Sequence, residues 1–240
     1  MTATELRLVL RRPENLFATI AIPTVVLVVF SSIAILPTGG ARPVDFLLPG
    51  AIALGIIATS LVSLGITTAY DRSYGVLKRL GGSPLSRPEL IVARLLAVLA
   101  VEAVQVALLV AVASGLLGWT AGSGGSPVVV TGAVLLGTAA FVGLGLLIAG
   151  TLRAETVLAL ANVLFLGFLV AGGVIVPIDH LPEPVATIAA ALPAASLSAL
   201  LRIGLGAEGA AGVDATGPVL LLGAWAVVAL VAAARTFRWE

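Results

Sequence analysis

The 240-residue chain has no cysteine, a single histidine and a single lysine, and only 10% of its residues are charged. Without cysteine it can form neither a disulfide nor a thiolate metal site, and cysteine usage does not indicate a redox compartment. The histidine, His180, follows Asp179, and one such pair offers too few ligands for a metal ion. We therefore expect His180 to be a loop residue and the chain to hold no metal.

Short motifs of enzymes and nucleotide sites are also missing. GxxxxGK[ST] is absent, and Lys78, the one lysine, is followed by arginine. HExxH and GxSxG are absent as well. We therefore predict no catalytic residues and no cofactor bound by this chain. The absence of these motifs argues most strongly against an intramembrane protease or lipid transferase.

Apolar residues dominate what is present, at 60% of the chain, with a mean hydropathy of +1.18. A soluble domain has about a quarter of its residues charged, and a chain this short could not bury so much apolar surface. Lipid is therefore the expected solvent, and we predict a multi-pass protein of the cell membrane. A net charge of +1 gives no electrostatic reason to expect a nucleic-acid partner.

Six apolar stretches are long enough to cross a bilayer as helices, which needs about 20 residues each. They predict one all-α domain over residues 1–240 with spans at 16–36, 46–70, 86–117, 128–152, 156–176 and 218–234. Because the chain starts with no signal-peptide cleavage pattern, we expect the first span to be retained. Pro23 and Pro49 lie inside the first two spans and could kink them to open a lateral cleft.

Residues 185–205 form a further apolar stretch, which is interrupted by Pro193 and contains Arg202. We expect two short helices here, lying at the outer interface or dipping into the membrane, within an outer segment at 177–214. A seventh span is the alternative. With six spans and both termini in the cytoplasm, only Arg42 and Arg202 of the basic residues lie outside, as the positive-inside rule favours.

The longest interior charged stretch, residues 71–89, then lies between spans two and three on the cytoplasmic side. Within it, residues 73–80 can form two helical turns with Tyr74, Leu77 and Leu80 on one face and with Lys78 and Arg79 elsewhere. Such a helix can anchor in a groove of a partner. The alternative is that these charges only set topology and keep the loop in water.

Residues 1–15 predict a second amphipathic helix, lying flat on the inner leaflet. Leu6, Val9 and Leu10 share one face, with Arg7 and Arg11 beside them. A simple topology anchor is the alternative interpretation.

Glu102 lies in the middle of the third span, and Gln105 shares its helix face. A carboxylate there costs about 2.5–3.5 kcal/mol, so both side chains should point away from lipid. They either line a substrate route or form an interhelical hydrogen bond. The second interpretation is compatible with a protonated, neutral Glu102. Asn162 in the fifth span has the same two interpretations, with more weight on packing.

The chain resembles the permease subunits of type-2 ABC exporters of the daunorubicin-resistance and polysaccharide-export kind. The resemblance runs along nearly the full length and is most specific in the loop YGVLKRLGGSPLSRPELIVARLL and in the outer segment GGVIVPIDHLPEPVATIAAALPAASLSALLRIGLG. It implies a pair of permease chains, with a homodimer favoured over a heterodimer. It also implies two copies of a separate ATPase subunit, which binds ATP and Mg²⁺.

By the same resemblance, residues 71–85 form the coupling loop. Tyr74, Leu77, Lys78 and Arg79 would contact the ATPase, with Arg7 and Arg11 nearby. The implied function is ATP-driven export of a drug, lipid or glycan. A secondary transporter or a membrane assembly factor without an ATPase remains the alternative.

Overall fold

The computed structural model describes residues 13–33, 42–77, 87–122, 124–174, 178, 182–207, 210 and 212–236. Within these residues the secondary structure is helical and no strand occurs. The predicted all-α class is therefore confirmed. The N-terminal helix predicted over residues 1–15 lies, up to residue 12, outside the described part of the chain.

The described helices are named in chain order. They are α1 (Pro13–Ile33), α2 (Pro43–Ser73), α3 (Arg87–Leu116), α4 (Pro127–Thr151), α5 (Ala154–Ala171), α6 (Glu183–Ala190), α7 (Pro193–Leu205) and α8 (Thr216–Thr236).

Proline lies in the first turn of α2, α4, α6 and α7. The first N–H groups of a helix have no intrahelical acceptor, so proline costs no bond there, and its fixed φ suits the helix. Pro193, which was expected to interrupt the outer segment, accordingly begins α7. Helices α6 and α7 meet at an angle of 79°, as the prediction of two short helices requires.

Five of the described helices are long and apolar enough to cross a membrane, namely α2, α3, α4, α5 and α8. The count is six if the bent α6–α7 pair forms one broken span. In α1 the apolar stretch Thr19–Ile33 is shorter than these five. The prediction of six spans with both termini inside therefore stays a prediction.

Two helices, α5 and α2, end at residues other than the predicted span ends, and a glycine with a left-handed φ lies close to each of these ends. Helix α5 stops at Ala171 instead of reaching residue 176, because Gly173 adopts a left-handed φ of 65° that ends the helix. Helix α2 runs past residue 70 to Ser73, and the chain then turns at Gly75, whose φ is 71°. Ser73 therefore ends α2 and does not begin the predicted loop helix.

Helices α2 and α4 form the centre of the fold. In α2, 78% of the apolar stretch is buried within the chain, against 22% in α5 and in α8. Helix α4 packs against α2, α3, α5, α7 and α8. Glycine permits this, because a Cβ on Gly145 would lie 2.8 Å from the carbonyl oxygen of Ser60, and one on Gly143 would lie 2.8 Å from Ala229 Cβ.

A backbone clasp joins the end of α7 to the segment that precedes α4. The Gly122 N–H donates to the Leu205 carbonyl at 3.2 Å, and the Ser126 N–H donates to the Gly204 carbonyl at 2.7 Å. Gly206 turns the chain here with a φ of 69°. The clasp holds α7 against the central α4.

Candidate functional site

The carboxyl group of Glu102, on α3, is the centre of a polar cluster inside the helix bundle. Its side chain is completely buried. Ser60 Oγ of α2 donates to Glu102 Oε1 at 2.6 Å. The other carboxyl oxygen, Oε2, is hydrogen-bonded with Thr138 Oγ1 of α4. One side chain thus joins three helices.

A π-helical turn, Ala58–Ser63, interrupts α2 at the level of Glu102. Such a turn adds a residue to the helical repeat and is frequent at functional sites. It also divides the side chains of α2 between two environments. Thr59 and Ser60 face the buried cluster, while Ala58, Val62 and Ser63 line a cleft.

Gln105, one turn along α3 from Glu102, extends the cluster to α1. Its Nε2 donates to the Thr19 carbonyl at 2.8 Å, and Thr59 Oγ1 lies 3.5 Å from its Oε1. A Cβ on Gly55 would lie 2.4 Å from Gln105 Nε2. Glycine at residue 55 therefore makes the space that the amide occupies.

The two interpretations of Glu102 and Gln105 differ in what the side chains should contact. Both side chains are buried, at 0% and 1% exposure, and both are hydrogen-bonded between helices. This geometry agrees with the interhelical packing interpretation. Neither side chain lines the cleft described next.

Asn162 is separate from this cluster. It is exposed on α5, and its Nδ2 donates to the Leu158 carbonyl of its own helix at 2.7 Å. The interhelical hydrogen bond that was one interpretation of Asn162 is therefore not made by its amide nitrogen. Asn162 instead lines the cleft.

The cleft has a volume of about 300 Å³ and is formed by α1, α2 and α5. None of the residues that line it is ionisable. They are Thr19, Ile22, Pro23, Leu54, Ala58, Val62, Ser63, Ile66, Thr67, Asn162 and Phe165. Pro23, which was expected to help open a lateral cleft, is on its wall.

A second polar cluster lies at the end of α2 that enters the predicted coupling loop. Arg94 Nη2 of α3 donates to Asp71 Oδ2 at 3.0 Å, and its Nη1 donates to Thr68 Oγ1. The Arg94 side chain is only 4% exposed. Arg72 Nη2 donates to the Leu152 carbonyl at the end of α4, where a cation also interacts favourably with the helix dipole.

Sequence reasoning counted Arg94 only as a topology signal and missed this contact. The available signal was an arginine well inside the apolar run of the third span, where a guanidinium needs a partner. Its partner could not be read from the spacing, because Asp71 is on another helix.

The predicted ATPase-contact residues are only partly within the described chain. Tyr74 is 73% exposed, whereas Leu77 is completely buried in a cluster with Leu90, Val98 and Leu146. The two side chains therefore do not share one accessible face, because the turn at Gly75 separates them. Leu77 anchors the segment to its own chain. Lys78, Arg79, Arg7 and Arg11 lie outside the described residues.

Comparison with protein families gives one match. The ABC-2 type transporter family matches residues 1–205 of the 240. A search of curated proteins finds no match. With most of its length matched and several helices able to cross a membrane, this chain belongs to the ABC-2 type transporter family as a multi-pass permease component.

Proposed function

We propose that the chain is the permease subunit of an ATP-driven exporter that moves a hydrophobic or amphiphilic substrate out of the cell. A drug, a lipid or a glycan fits this class. A separate ATPase subunit, two copies in the assembly, docks at the loop of residues 71–89 and binds the ATP and Mg²⁺. The observation that carries the proposal is that α2 joins this loop to the wall of the cleft.

The cytoplasmic ends of α2 and α3 are held together, which supports the loop as the point where force enters. Arg94 binds Asp71 and Thr68, and Arg72 binds the end of α4. Removing one partner of a buried ion pair costs about 3–5 kcal/mol, because a buried charge is left unpaired. A displacement of the loop therefore moves these helix ends as one body.

Tyr74 provides the apolar part of the docking surface. It is exposed on the turn that follows α2. Its ring stacks against the ring of Tyr70, with the two ring centroids 6.0 Å apart. Val76, beside it, is 41% exposed. Lys78 and Arg79 follow in sequence and supply the basic rim, and Arg7 and Arg11 lie near it.

The cleft between α1 and α5 is the proposed entry to the substrate route. Its walls carry no charge, so an apolar or uncharged part of a substrate pays no desolvation of ionised groups there. The hydroxyls of Ser63 and Thr67 line it and make no hydrogen bond with the described residues, whereas the hydroxyls of Thr59 and Thr68 each donate to a carbonyl four residues back. The Ser63 and Thr67 hydroxyls are therefore free to bind a polar group of the substrate.

A second permease chain completes the route by covering the cleft. Exposed apolar side chains continue from it along α1 and α5, including Val25, Val29, Val163 and Leu166. A homodimer is the proposed assembly. The membrane is the cell membrane, and a bacterial inner membrane fits a chain with this topology.

Cross-linking tests the docking proposal directly, because the chain has no cysteine of its own. Tyr74→Cys should cross-link to a co-purified ATPase subunit in the assembled complex, and ATP should change the yield. Val213→Cys, exposed three residues before α8 on the predicted outer side, is the matched control and should not cross-link. Purification without any ATPase would contradict the proposal. Transport that persists without ATP and stops when the proton gradient collapses would instead support a secondary transporter.

A further inference from the structure

We propose that Glu102 is held as a neutral carboxylic acid that binds Thr138 of α4 through its proton and Ser60 of α2 through its carbonyl oxygen, and so keeps the π turn of α2 in place. The protonation state is argued from hydrogen-bond donors and acceptors alone. Its consequence for transport rests on the proposed function, whereas the protonation state does not.

Thr138 limits the possible arrangements. Its Oγ1 has one hydrogen, and it lies 2.7 Å from the Val134 carbonyl one turn earlier in α4 and within hydrogen-bonding reach of Glu102 Oε2. The carbonyl can only accept. If Glu102 were ionised, both neighbours of the hydroxyl would be acceptors, and one contact would have no hydrogen.

A neutral Glu102 resolves this conflict. Its hydroxyl on Oε2 donates to Thr138 Oγ1, and Thr138 then donates to the Val134 carbonyl. On the other side, Ser60 Oγ donates to the carbonyl oxygen Oε1 at 2.6 Å. Every polar atom of the group then has a partner, which buried groups in low-dielectric surroundings require.

No cation among the surrounding described helices is placed to balance an ionised Glu102. Helix α4 has no ionisable residue, and α2 has no charged residue between Asp45 and Asp71. In α3 the nearest is Arg94, eight residues away, or about 12 Å along the axis. Arg94 already binds Asp71. Arg235 lies at the far end of α8.

The neutral acid acts on α2 through Ser60, which lies within the π turn. Three residues of the same turn, Ala58, Val62 and Ser63, line the cleft. Glu102 is therefore a positioning residue: it touches no substrate, but it sets the register of the wall that does. Loss of the bond from Ser60 lets the turn relax and move these three side chains.

Infrared spectroscopy of the purified permease in neutral buffer tests the protonation state. We expect a carbonyl stretching band of a protonated carboxyl group in the wild type that is lost in Glu102→Gln. The band should move to higher frequency in Ser60→Ala, because the carbonyl oxygen loses its donor. If Glu102→Gln removes no such band, or removes a carboxylate band, Glu102 is ionised and the proposal is wrong. If Glu102→Gln does not fold, the Ser60→Ala spectrum decides, and an unshifted band overturns the proposal.

Variant stability tests the bridge itself. Glutamine can donate to Thr138 and accept from Ser60, so Glu102→Gln should keep its thermal midpoint, whereas Glu102→Leu should lose several degrees. Thr138→Val should lower the midpoint by about 2–4 °C, the shift for a loss of ~1 kcal/mol in a chain of this size. Thr151→Val is the matched control, because Thr151 also donates to a carbonyl of α4 but is exposed and contacts no carboxyl. Equal losses in both threonine variants would contradict the bridge.

Transport by the assembled complex is measured separately. Transport should fall in Glu102→Leu and be recovered in Glu102→Gln. A complex that never transports counts against the proposed function and leaves the infrared result standing. Full transport in Glu102→Leu would contradict the role of Glu102 in positioning the π turn.

Discussion

Arg94 of α3 and Asp71 of α2 form an ion pair of 3.0 Å, with the arginine side chain 4% exposed and the carboxylate 22% exposed. The pair lies where α2 and α3 enter the loop of residues 71–89, on which the ATPase is proposed to act. It joins two helices that are separated in sequence by that loop, so the loop has a rigid base.

Arg94→Ala should destabilise the permease and weaken the coupling between ATP hydrolysis and transport. Removing one partner of a buried pair costs about 3 kcal/mol or more, and Asp71 and Thr68 would both lose their donor. Thermal unfolding of the purified permease measures the first effect, and transport per ATP hydrolysed measures the second.

The control for Arg94→Ala is Asp45→Asn, which removes the Arg42–Asp45 pair of 2.9 Å near the start of α2, where the arginine is 53% exposed. Exposed pairs contribute about 0–1 kcal/mol, so this variant should change little. A loss in Arg94→Ala no larger than that in Asp45→Asn would show that the inner pair does not stabilise the helix ends.

Gly145→Ala should separate α4 from the π turn of α2. The new Cβ would lie 2.8 Å from the Ser60 carbonyl oxygen and 3.1 Å from the Leu61 carbonyl oxygen, and backbone atoms cannot move aside cheaply. Overpacking of this kind costs about 1–3 kcal/mol, which thermal unfolding would detect. Gly132→Ala is the control on the same helix, because nothing lies within 4 Å of its Cβ. Equal stability of the two variants would contradict the close approach.

Cysteine labelling should distinguish the cleft from the buried core. Ser63→Cys and Asn162→Cys place thiols on the cleft wall, where N-ethylmaleimide can reach them. Ala140→Cys places a thiol at a completely buried position of α4 and should label far more slowly. The rate of labelling, followed by mass spectrometry, checks this. Similar rates at residues 63 and 140 would mean that the cleft is closed in the membrane.

Asp214 should titrate at a lower pH than an ordinary aspartate. The side-chain hydroxyl of Thr216 donates to Asp214 Oδ1 at 2.7 Å and the backbone N–H of Thr216 donates at 2.9 Å, and these bonds lower the pKa of the carboxyl below its ordinary value. Stability from a lowered pKa is present above the ordinary value and is lost as the pH falls through the lowered one. The start of α8 should therefore loosen only in acid.

Carbon-13 NMR of the Asp214 carboxyl measures this titration. Thr216→Val removes the hydroxyl donor and keeps the backbone donor, so the midpoint should move up toward the ordinary value. An unchanged midpoint would show that the hydroxyl bond does not hold in solution.

The residues that sequence reasoning selected had different outcomes for a physical reason. Glu102 and Gln105 were predicted to share an inward face, and both are buried, because a period of 3.6 residues decides which side chains lie together on one helix. Tyr74 and Leu77 were assigned one face by the same rule, but the left-handed turn at Gly75 breaks the helix between them. Periodicity is informative only while the helix continues.

Other features depend on two helices at once and had no sequence signal of their own. The Arg94–Asp71 pair and the Ser60–Glu102–Thr138 bridge each join residues that lie tens of residues apart in the chain. Which partner faces which depends on how closely the helices approach. That distance is set by glycines such as Gly145 and Gly55, whose space is filled by another helix.

The sequence by itself determined that the chain is an all-helical membrane protein with a carboxyl group, that of Glu102, in the middle of a span. It did not determine which side chains that carboxyl group contacts. Apolar length and the need to pair every backbone N–H and C=O within lipid leave no other class. Only the tertiary structure decided that α2 carries the buried polar cluster on one side and the cleft on the other. The division arises at the π turn Ala58–Ser63, where Ser60 is hydrogen-bonded to Glu102 of α3 while Ala58, Val62 and Ser63 line the cleft.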